Sequence, residues 1–354
     1  MSGGVDSSVA ALLTKEQGWE CVGCTMKLYD NEDAGIPASK TCCSLDDVED
    51  ARSVASRIGM PYYVFNFKDE FGEKVIDRFV DSYRHARTPN PCIECNRHMK
   101  FGKLYERARQ LGCDKIVTGH YARIEERDGL YLLKKGLDAG KDQSYVLFFM
   151  DQYQLAHTLF PLGELPKSEV RRIAAENGFI NADKPDSQDI CFVPDGDYAR
   201  LIEERSGLVS VPGNYLDLEG NVIGRHKGMI RYTIGQHKKL GQSFGEPMYV
   251  CRINAEDNSV TLGREKDLYS SSVLVRDMHW ISGDIPAEAR PGKEGLRCSA
   301  KLRYRHPEQP CAAETLPDGL LRLCFDAPQR AVTPGQFAVL YDGDICLGGG
   351  EIVL

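Results

Sequence analysis

The periodicity of the chain breaks once, near Ser206-Gly207, and that break constrains the fold more than any other sequence feature. Before it, short apolar runs alternate with amphipathic segments of helical length. Val9, Ala10, Leu12 and Leu13 give residues 5–18 a helical pattern behind a Ser/Asp-rich start. Further helices are expected at 46–58, 71–86 and 99–110, and strands at 19–28, 62–67 and 115–118. This alternation predicts an α/β unit, a parallel sheet covered on both faces, running to about residue 205. After the break helical periodicity ends. Short β-rich stretches follow at 222–223, 248–253, 259–262, 273–275, 295–305, 320–325, 338–341 and 345–347. Turn signals between them, such as Pro317-Asp318-Gly319 and Asp342-Gly343-Asp344, predict a small β-barrel.

With 354 residues the chain has room for two or three domains. It contains no apolar run of the roughly 20 residues needed to span a bilayer. Met1-Ser2-Gly3-Gly4 has neither the basic nor the apolar part of an export signal. Thirteen cysteines, an odd count in a long chain, then suit a reducing cytoplasm better than a disulfide framework. The net charge of −8 argues mildly against a nucleic-acid partner, which needs Lys and Arg for phosphate contacts. Local patterning argues the other way. From Gly220 to Gly245 there is no carboxylate, while Arg225, Lys227, Arg231, Lys238 and Lys239 are present, and Lys301, Arg303 and Arg305 form a second basic group. Either group alone reads as a solvated surface.

Two segments carry chemistry. Ser2-Gly3-Gly4-Val5-Asp6-Ser7-Ser8 opens the first helix. Adjacent glycines let backbone approach a phosphate, and a helix N-terminus adds free N–H groups and a positive dipole end. The serine hydroxyls donate to phosphate oxygens, and Asp6 suits Mg²⁺. No Gly-Lys-Ser/Thr ending follows, so this is not a Walker loop. The other segment is Asn90-Pro91-Cys92-Ile93-Glu94-Cys95-Asn96, a C-x-x-C on a proline-stiffened loop before a helix, where thiolate is favoured. Asp186-Ser187-Gln188-Asp189-Ile190-Cys191-Phe192 is a second polar loop with one cysteine. Cys21 and Cys24 are expected on opposite faces of a strand, and Cys42-Cys43-Ser44 reads as a helix cap. No histidine pair has zinc spacing.

The serine–glycine loop resembles that of the PP-loop ATP pyrophosphatases, which split ATP to AMP and pyrophosphate. The cysteine loops narrow the resemblance to the tRNA-specific 2-thiouridylase (MnmA/TrmU) family, over essentially the whole chain. That resemblance implies a Rossmann-like PP-loop domain (1–205), a small central β-rich domain (206–270) and a C-terminal, tRNA-contacting β-barrel (271–354). It implies Cys95 as nucleophile and Cys191 as persulfide carrier. ATP would be bound by Ser2, Gly3, Gly4, Val5, Asp6, Ser7, Ser8, Met26 and Gly119. Asn90, Pro91 and Cys92 would hold the target base. His120, Lys141, Asp142, Gln143, Arg303, Tyr304 and Gln336 would contact tRNA.

The implied reaction is ATP-dependent thiolation of the wobble uridine at C2 in tRNAs for Lys, Glu and Gln. Sulfur would come from a cysteine desulfurase or a relay protein. Cys92, Cys95 and Cys191 could alternatively hold a 4Fe–4S cluster. Two rival readings share the loop: an ATP pyrophosphatase acting on a small-molecule amide, and a binding module that has lost catalysis. In the family the loop follows a buried first strand, whereas this sequence begins inside the loop. Without that strand, lower stability and poor ATP binding are expected.

Overall fold

The computed structural model describes residues 1–29, 45–185, 190–193, 195–207 and 209–353. Helix α1 (Val5–Glu16) starts where Gly4 turns from extended backbone into the first turn. Its apolar face, with Val9 fully buried, packs with Val54 of α2 (Leu45–Arg57) and with Val170 and Ala174 of the helix Lys167–Glu176. Each such buried side chain contributes about 1.5–3 kcal/mol, so this cluster fixes the nucleotide loop's position.

Strands β1 (Gly23–Lys27) and β2 (Tyr62–Asn66) pair in parallel, with Gly23 opposite Tyr62. Strand β3 (Ile116–Val117) precedes a hairpin, β4 (Ala122–Arg127) and β5 (Leu130–Lys135), and pairs in parallel with β6 (Thr158–Leu159). The α/β class is as expected, but among the described residues the parallel sheet consists of two separate two-stranded pieces. On β1, Met1 N donates to Cys24 O, and Thr25 Oγ1 donates to Met1 O at 2.6 Å. Strand β1 begins at Gly23, so Cys21 lies before it and the opposite-face argument for Cys21 and Cys24 does not apply. Cys42-Cys43-Ser44 lies outside the described residues.

Beyond the helix Tyr198–Ser206, a four-stranded sheet has the order β8-β7-β10-β9, from β7 (Gly213–Leu216), β8 (Val222–His226), β9 (Tyr249–Asn254) and β10 (Ser259–Gly263). Tyr215, Val250, Val260 and Leu262 form its core. The last module runs β11 (Tyr269–Trp280), β12 (Leu296–Lys301), β13 (Gln309–Thr315), β14 (Leu321–Arg330), β15 (Phe337–Asp342) and β16 (Ile345–Val353). Its order is β11-β14-β13-β12-β15-β16, and a β11–β16 pairing closes the barrel. Leu321, Leu323 and Phe325 point inward at alternate positions of β14, as the period-two pleat requires.

The hairpin β4–β5 joins this C-terminal sheet, with Leu133 opposite Cys346 on β16. A segment within the first 205 residues thus extends the barrel's sheet. Tyr145, Phe148 and Phe149 share one apolar cluster with Val339 and Tyr341 of β15, so the hairpin is backed by a common core.

Candidate active site

The nucleotide loop is held from three sides. Gly3 adopts φ +71, and a Cβ there would lie 2.5 Å from Asp47 O, so both its conformation and its close approach require glycine. Asn181 donates to Gly3 O at 2.9 Å and to Ser8 Oγ at 3.0 Å. Lys167 Nζ donates to both oxygens of Asp6, at 2.6 and 2.7 Å, and Tyr121 Oη donates to the first at 2.7 Å. Ser2 N donates to Ser7 Oγ at 3.0 Å and Ser7 Oγ to Gly4 O at 3.1 Å. From the β3 side, a Cβ on Gly119 would lie 2.7 Å from the Asp6 carbonyl carbon and 2.8 Å from Ser7 N. The result is a rigid, glycine-lined cradle opening onto a helix N-terminus, which suits an anionic phosphate chain. The contacts of Asp6 with Lys167 and Tyr121 brace the loop.

The C-x-x-C segment forms the start of a helix, which corrects the expected loop. Asn90 Oδ1 accepts from Cys92 N at 3.2 Å and Pro91 occupies the first turn, a cap-and-proline start that begins the helix at Pro91. The helix continues to Gln110, with wider π turns over Cys95–Lys103. Such turns are frequent at functional sites. Cys92 is exposed and Cys95 half-buried. Between them, Glu94 binds Arg78 at 2.8 Å and His98 at 3.1 Å, with Arg97 at 3.6 Å. Burial opposes ionisation of Glu94, but His98, Arg97 and Arg78 together outweigh it and hold its carboxyl below the usual range.

Cys95, Cys191 and Met26 pack against one apolar cluster that includes Phe71, Phe79, Met99 and Phe192. Tyr29 Oη donates to Cys191 O at 2.8 Å and its ring lies 5.9 Å from Phe71, fixing the backbone that carries the second cysteine. Phe192 meets Phe71 and Phe79 edge-on at 5.7 and 5.5 Å. Asp186, Ser187, Gln188 and Asp189, the polar half of that motif, lie outside the described residues. Cys92, Cys95 and Cys191 do not assemble a ligand set: no group of three or more His, Cys, Asp or Glu among the described residues could hold a metal ion.

The barrel reaches the same helix. Gln336 Nε2 donates to Thr88 O at 2.9 Å and to Pro89 O at 3.3 Å, and Thr88 N donates to Pro334 O at 2.8 Å. Tyr304, 37% exposed, sits 5.9 Å from the Tyr145 ring. Burial of its hydroxyl end raises the Tyr304 pKa, and the nearby Asp142 and Cys92 add to the rise. Burial lowers the Arg303 guanidinium, and Arg330 adds to this. Behind Asn90 and Pro91, a cavity of about 170 Å³ runs to Arg87, Phe337 and Glu351.

Three residues expected at a tRNA surface have other partners. Asp142 is buried and accepts from Gly136 N and Ser144 N at 3.1 Å each, shaping the turn that carries Lys141. Gln143 Oε1 accepts from Tyr121 N at 3.0 Å. His120 is buried, against Thr118 and Lys100. Of the basic groups, Arg225, Lys227, Lys238 and Lys239 are exposed, whereas Arg231 pairs with Glu203 at 2.8 Å and Lys301 lies 3.5 Å from Asp142. Asn181, Lys167 and Tyr121 were not legible as loop clamps, because a lone polar residue far away in sequence carries no spacing signal.

A glycine cradle at a helix start, an apolar platform bearing two cysteines and two β modules define an ATP-loop enzyme with appended barrels. Family profiles agree. Residues 1–195 match the tRNA methyl transferase HUP domain, 204–264 the tRNA methyl transferase PRC-barrel domain, and 270–352 the aminomethyltransferase beta-barrel domain. The tRNA-specific 2-thiouridylase MnmA of Clostridioides difficile (strain 630) is 49% identical over 354 residues, 99% of this chain and 96% of that one. The protein of the same name from Symbiobacterium thermophilum is 50% identical over 358 residues (99% and 90%), and that from Acetivibrio thermocellus 49% over 355 (99% and 97%). This chain belongs to the tRNA-specific 2-thiouridylase MnmA family.

Proposed function

We propose that this chain activates the 2-oxygen of a tRNA wobble uridine with ATP and replaces it with sulfur. The observation that carries the reading is that Cys95 and Cys191, on segments far apart in sequence, pack on one cluster with Met26. The helix α1 that opens the cradle starts at Val5, and Gly119 abuts the cradle's backbone. ATP suits the Gly3–Ser8 cradle, with magnesium arriving on its phosphates. Uridine O2 attacks the α-phosphorus, the α–β bridging bond breaks, and pyrophosphate leaves; the N3 proton goes to solvent. The outer sulfur of a Cys191 persulfide then adds to C2, and the C2–O bond breaks with its electron pair on AMP. Cys95 thiolate attacks the Cys191 sulfur, the S–S bond breaks, and sulfur remains on C2 while a Cys95–Cys191 disulfide forms. An external dithiol restores the enzyme, and a cysteine desulfurase or relay protein reloads Cys191.

Asn90, Pro91 and Cys92 would seat the base at the mouth of the catalytic helix. Lys141, Arg303, Tyr304 and Gln336 would face the RNA, with His120, Asp142 and Gln143 ordering the segments behind them. The acceptors are the tRNAs for Lys, Glu and Gln. Among the described residues no helix is long and apolar enough to cross a membrane, and the proposed compartment is the cytoplasm. Labelled ATP tests the reading. AMP formed only with tRNA supports it; AMP formed with small amides instead, or none under any condition, overturns it.

A further inference from the structure

His120 is more deeply enclosed than its place next to the nucleotide loop requires. Its ring forms a three-ring cluster with Phe101 and Phe160, whose centroids lie 6.0 and 5.9 Å from it and 6.2 Å from each other. Burial, reinforced by the Lys100 ammonium, keeps the imidazole neutral at physiological pH by lowering its pKa well below the usual value. Both ring nitrogens are engaged: Nδ1 with Thr118 Oγ1 at 2.7 Å and Nε2 with Lys100 Nζ at 3.3 Å. An ammonium only donates, so Nε2 must present its lone pair to Lys100. The single ring proton therefore sits on Nδ1 and is donated to Thr118 Oγ1. Threonine, histidine and lysine form a chain with one permitted polarity.

That chain fixes the lysine ammonium at a junction. Gly119, between Thr118 and His120, is the residue that abuts the Asp6–Ser7 backbone. Lys100 lies on the catalytic helix within the π-helical stretch that begins at Cys95. In such turns each N–H reaches back five residues, which brings Lys100 round toward the side of Cys95; an α-helix would carry it away. Lys100 is half-buried, and among the described residues it forms no ion pair with a carboxylate. A partly desolvated cation seated on a neutral lone pair retains its full charge for a ligand.

We propose that Lys100 is a catalytic cation that binds the α-phosphoryl group bridging nucleotide and base, with Thr118 and His120 as its positioning residues. This rests on the thiolation reading above and adds a residue to it. In this role Lys100 acts through its charge and transfers no proton. It stabilises charge as the phosphoryl oxygens become more negative during attack by O2, and again as AMP departs from C2. Binding in the ground state needs less of it, since the Gly3–Ser8 cradle holds the remaining phosphates.

The test follows labelled AMP formation with substrate tRNA in wild type, Lys100→Ala, Lys100→Met, Lys100→Arg and His120→Asn, beside tRNA binding and thermal unfolding. The proposal expects kcat to fall about 100-fold in Lys100→Ala and Lys100→Met, with KM for ATP and tRNA affinity changing less than about threefold. Lys100→Arg should keep about a tenth of the rate, and propylammonium should restore Lys100→Ala about tenfold while leaving Lys100→Met unchanged. Because Lys100→Met preserves the apolar stem, it reports on the charge even where the alanine variant folds poorly. A Lys100→Met rate within threefold of wild type would overturn the proposal. So would a loss in both variants that tracks unfolding or lost tRNA binding and shows no amine rescue. The wild-type arm reports separately on the parent reading, since absence of tRNA-dependent AMP there removes the thiolation reaction itself.

Discussion

Replacing Gly119 with alanine puts one methyl group between β3 and the nucleotide loop. The added carbon would sit 2.7 Å from the Asp6 carbonyl carbon, 2.8 Å from Ser7 N and 2.9 Å from Asp6 O, against 3.4 Å for an ordinary contact. All three neighbours are backbone, so no side chain can swing aside. Asp6 is clamped by Lys167 and Tyr121, and Gly3 by Asn181, so the loop moves as a unit or β3 withdraws. Either way the gap must open from 2.7 to 3.4 Å. Overpacking on this scale costs about 1–3 kcal/mol of stability. Displacing a reacting group by the 0.7 Å between 2.7 and 3.4 Å costs up to about 100-fold in rate. The assay is the initial rate of tRNA-dependent AMP formation, with tRNA affinity by filter binding and Tm alongside. The expected result is a drop in kcat of about 100-fold with tRNA affinity retained, because the clash falls on the Asp6–Ser7 backbone. Wild-type turnover by a folded Gly119→Ala protein would refute the assignment of this loop as the nucleotide cradle.

Three further outcomes follow from the geometry. Gln336→Ala removes the donor that spans to Thr88 O and Pro89 O and should cost about 1 kcal/mol of stability while weakening the fit of tRNA, read as a raised KM for tRNA with KM for ATP unchanged. Iron-free protein, and the Cys92→Asp variant, should both retain thiolation, because the persulfide route draws only on Cys95 and Cys191; activity that depends on added iron and sulfide would contradict this. Stability should fall on acidification below about pH 6.5, where a histidine in the unfolded chain takes up a proton that folded His120 does not. The unfolded state then binds more protons, so each buried neutral histidine makes stability decrease by up to about 1.4 kcal/mol per pH unit until the folded group protonates. His226 and His306 are held low by burial as well, so the readout is the difference between wild type and His120→Asn, which should shallow the slope.

Much of the architecture was legible because it is written in local pattern. The helix behind Ser2–Ser8, the strand at Tyr62–Asn66 and most C-terminal strands fall within a few residues of the expected spans. Long-range pairing was not legible. The hairpin β4–β5 had a clear local signal, Asp128-Gly129, whose φ values of 52 and 79 make the hairpin-favouring turn, yet nothing local could tell that its partner is β16. The expected stretch 273–275 proved to be part of the long strand Tyr269–Trp280, since Ser270, Ser271 and Ser272 carry no apolar period. The helix at Pro91 was hidden by reading Asn90-Pro91 as a loop when it is a cap followed by a first-turn proline. At the site, the loop glycines and the C-x-x-C stood out by pattern, whereas Cys191 was singled out by the family resemblance. Asn181, Lys167 and Lys100 acquire their roles only through distances that folding creates.

The central claim is that two cysteines act on one activated base. A single turnover with persulfide-loaded enzyme, ATP and substrate tRNA tests it most directly, followed by mass analysis of both the nucleosides and the peptides. Wild type should give one 2-thiouridine per enzyme together with a peptide linked through Cys95 and Cys191. Cys191→Ser should give neither, and Cys95→Ser should release no free 2-thiouridine. Thiolated nucleoside from Cys191→Ser, or wild-type turnover that leaves the two cysteines unlinked under non-reducing conditions, would contradict the account.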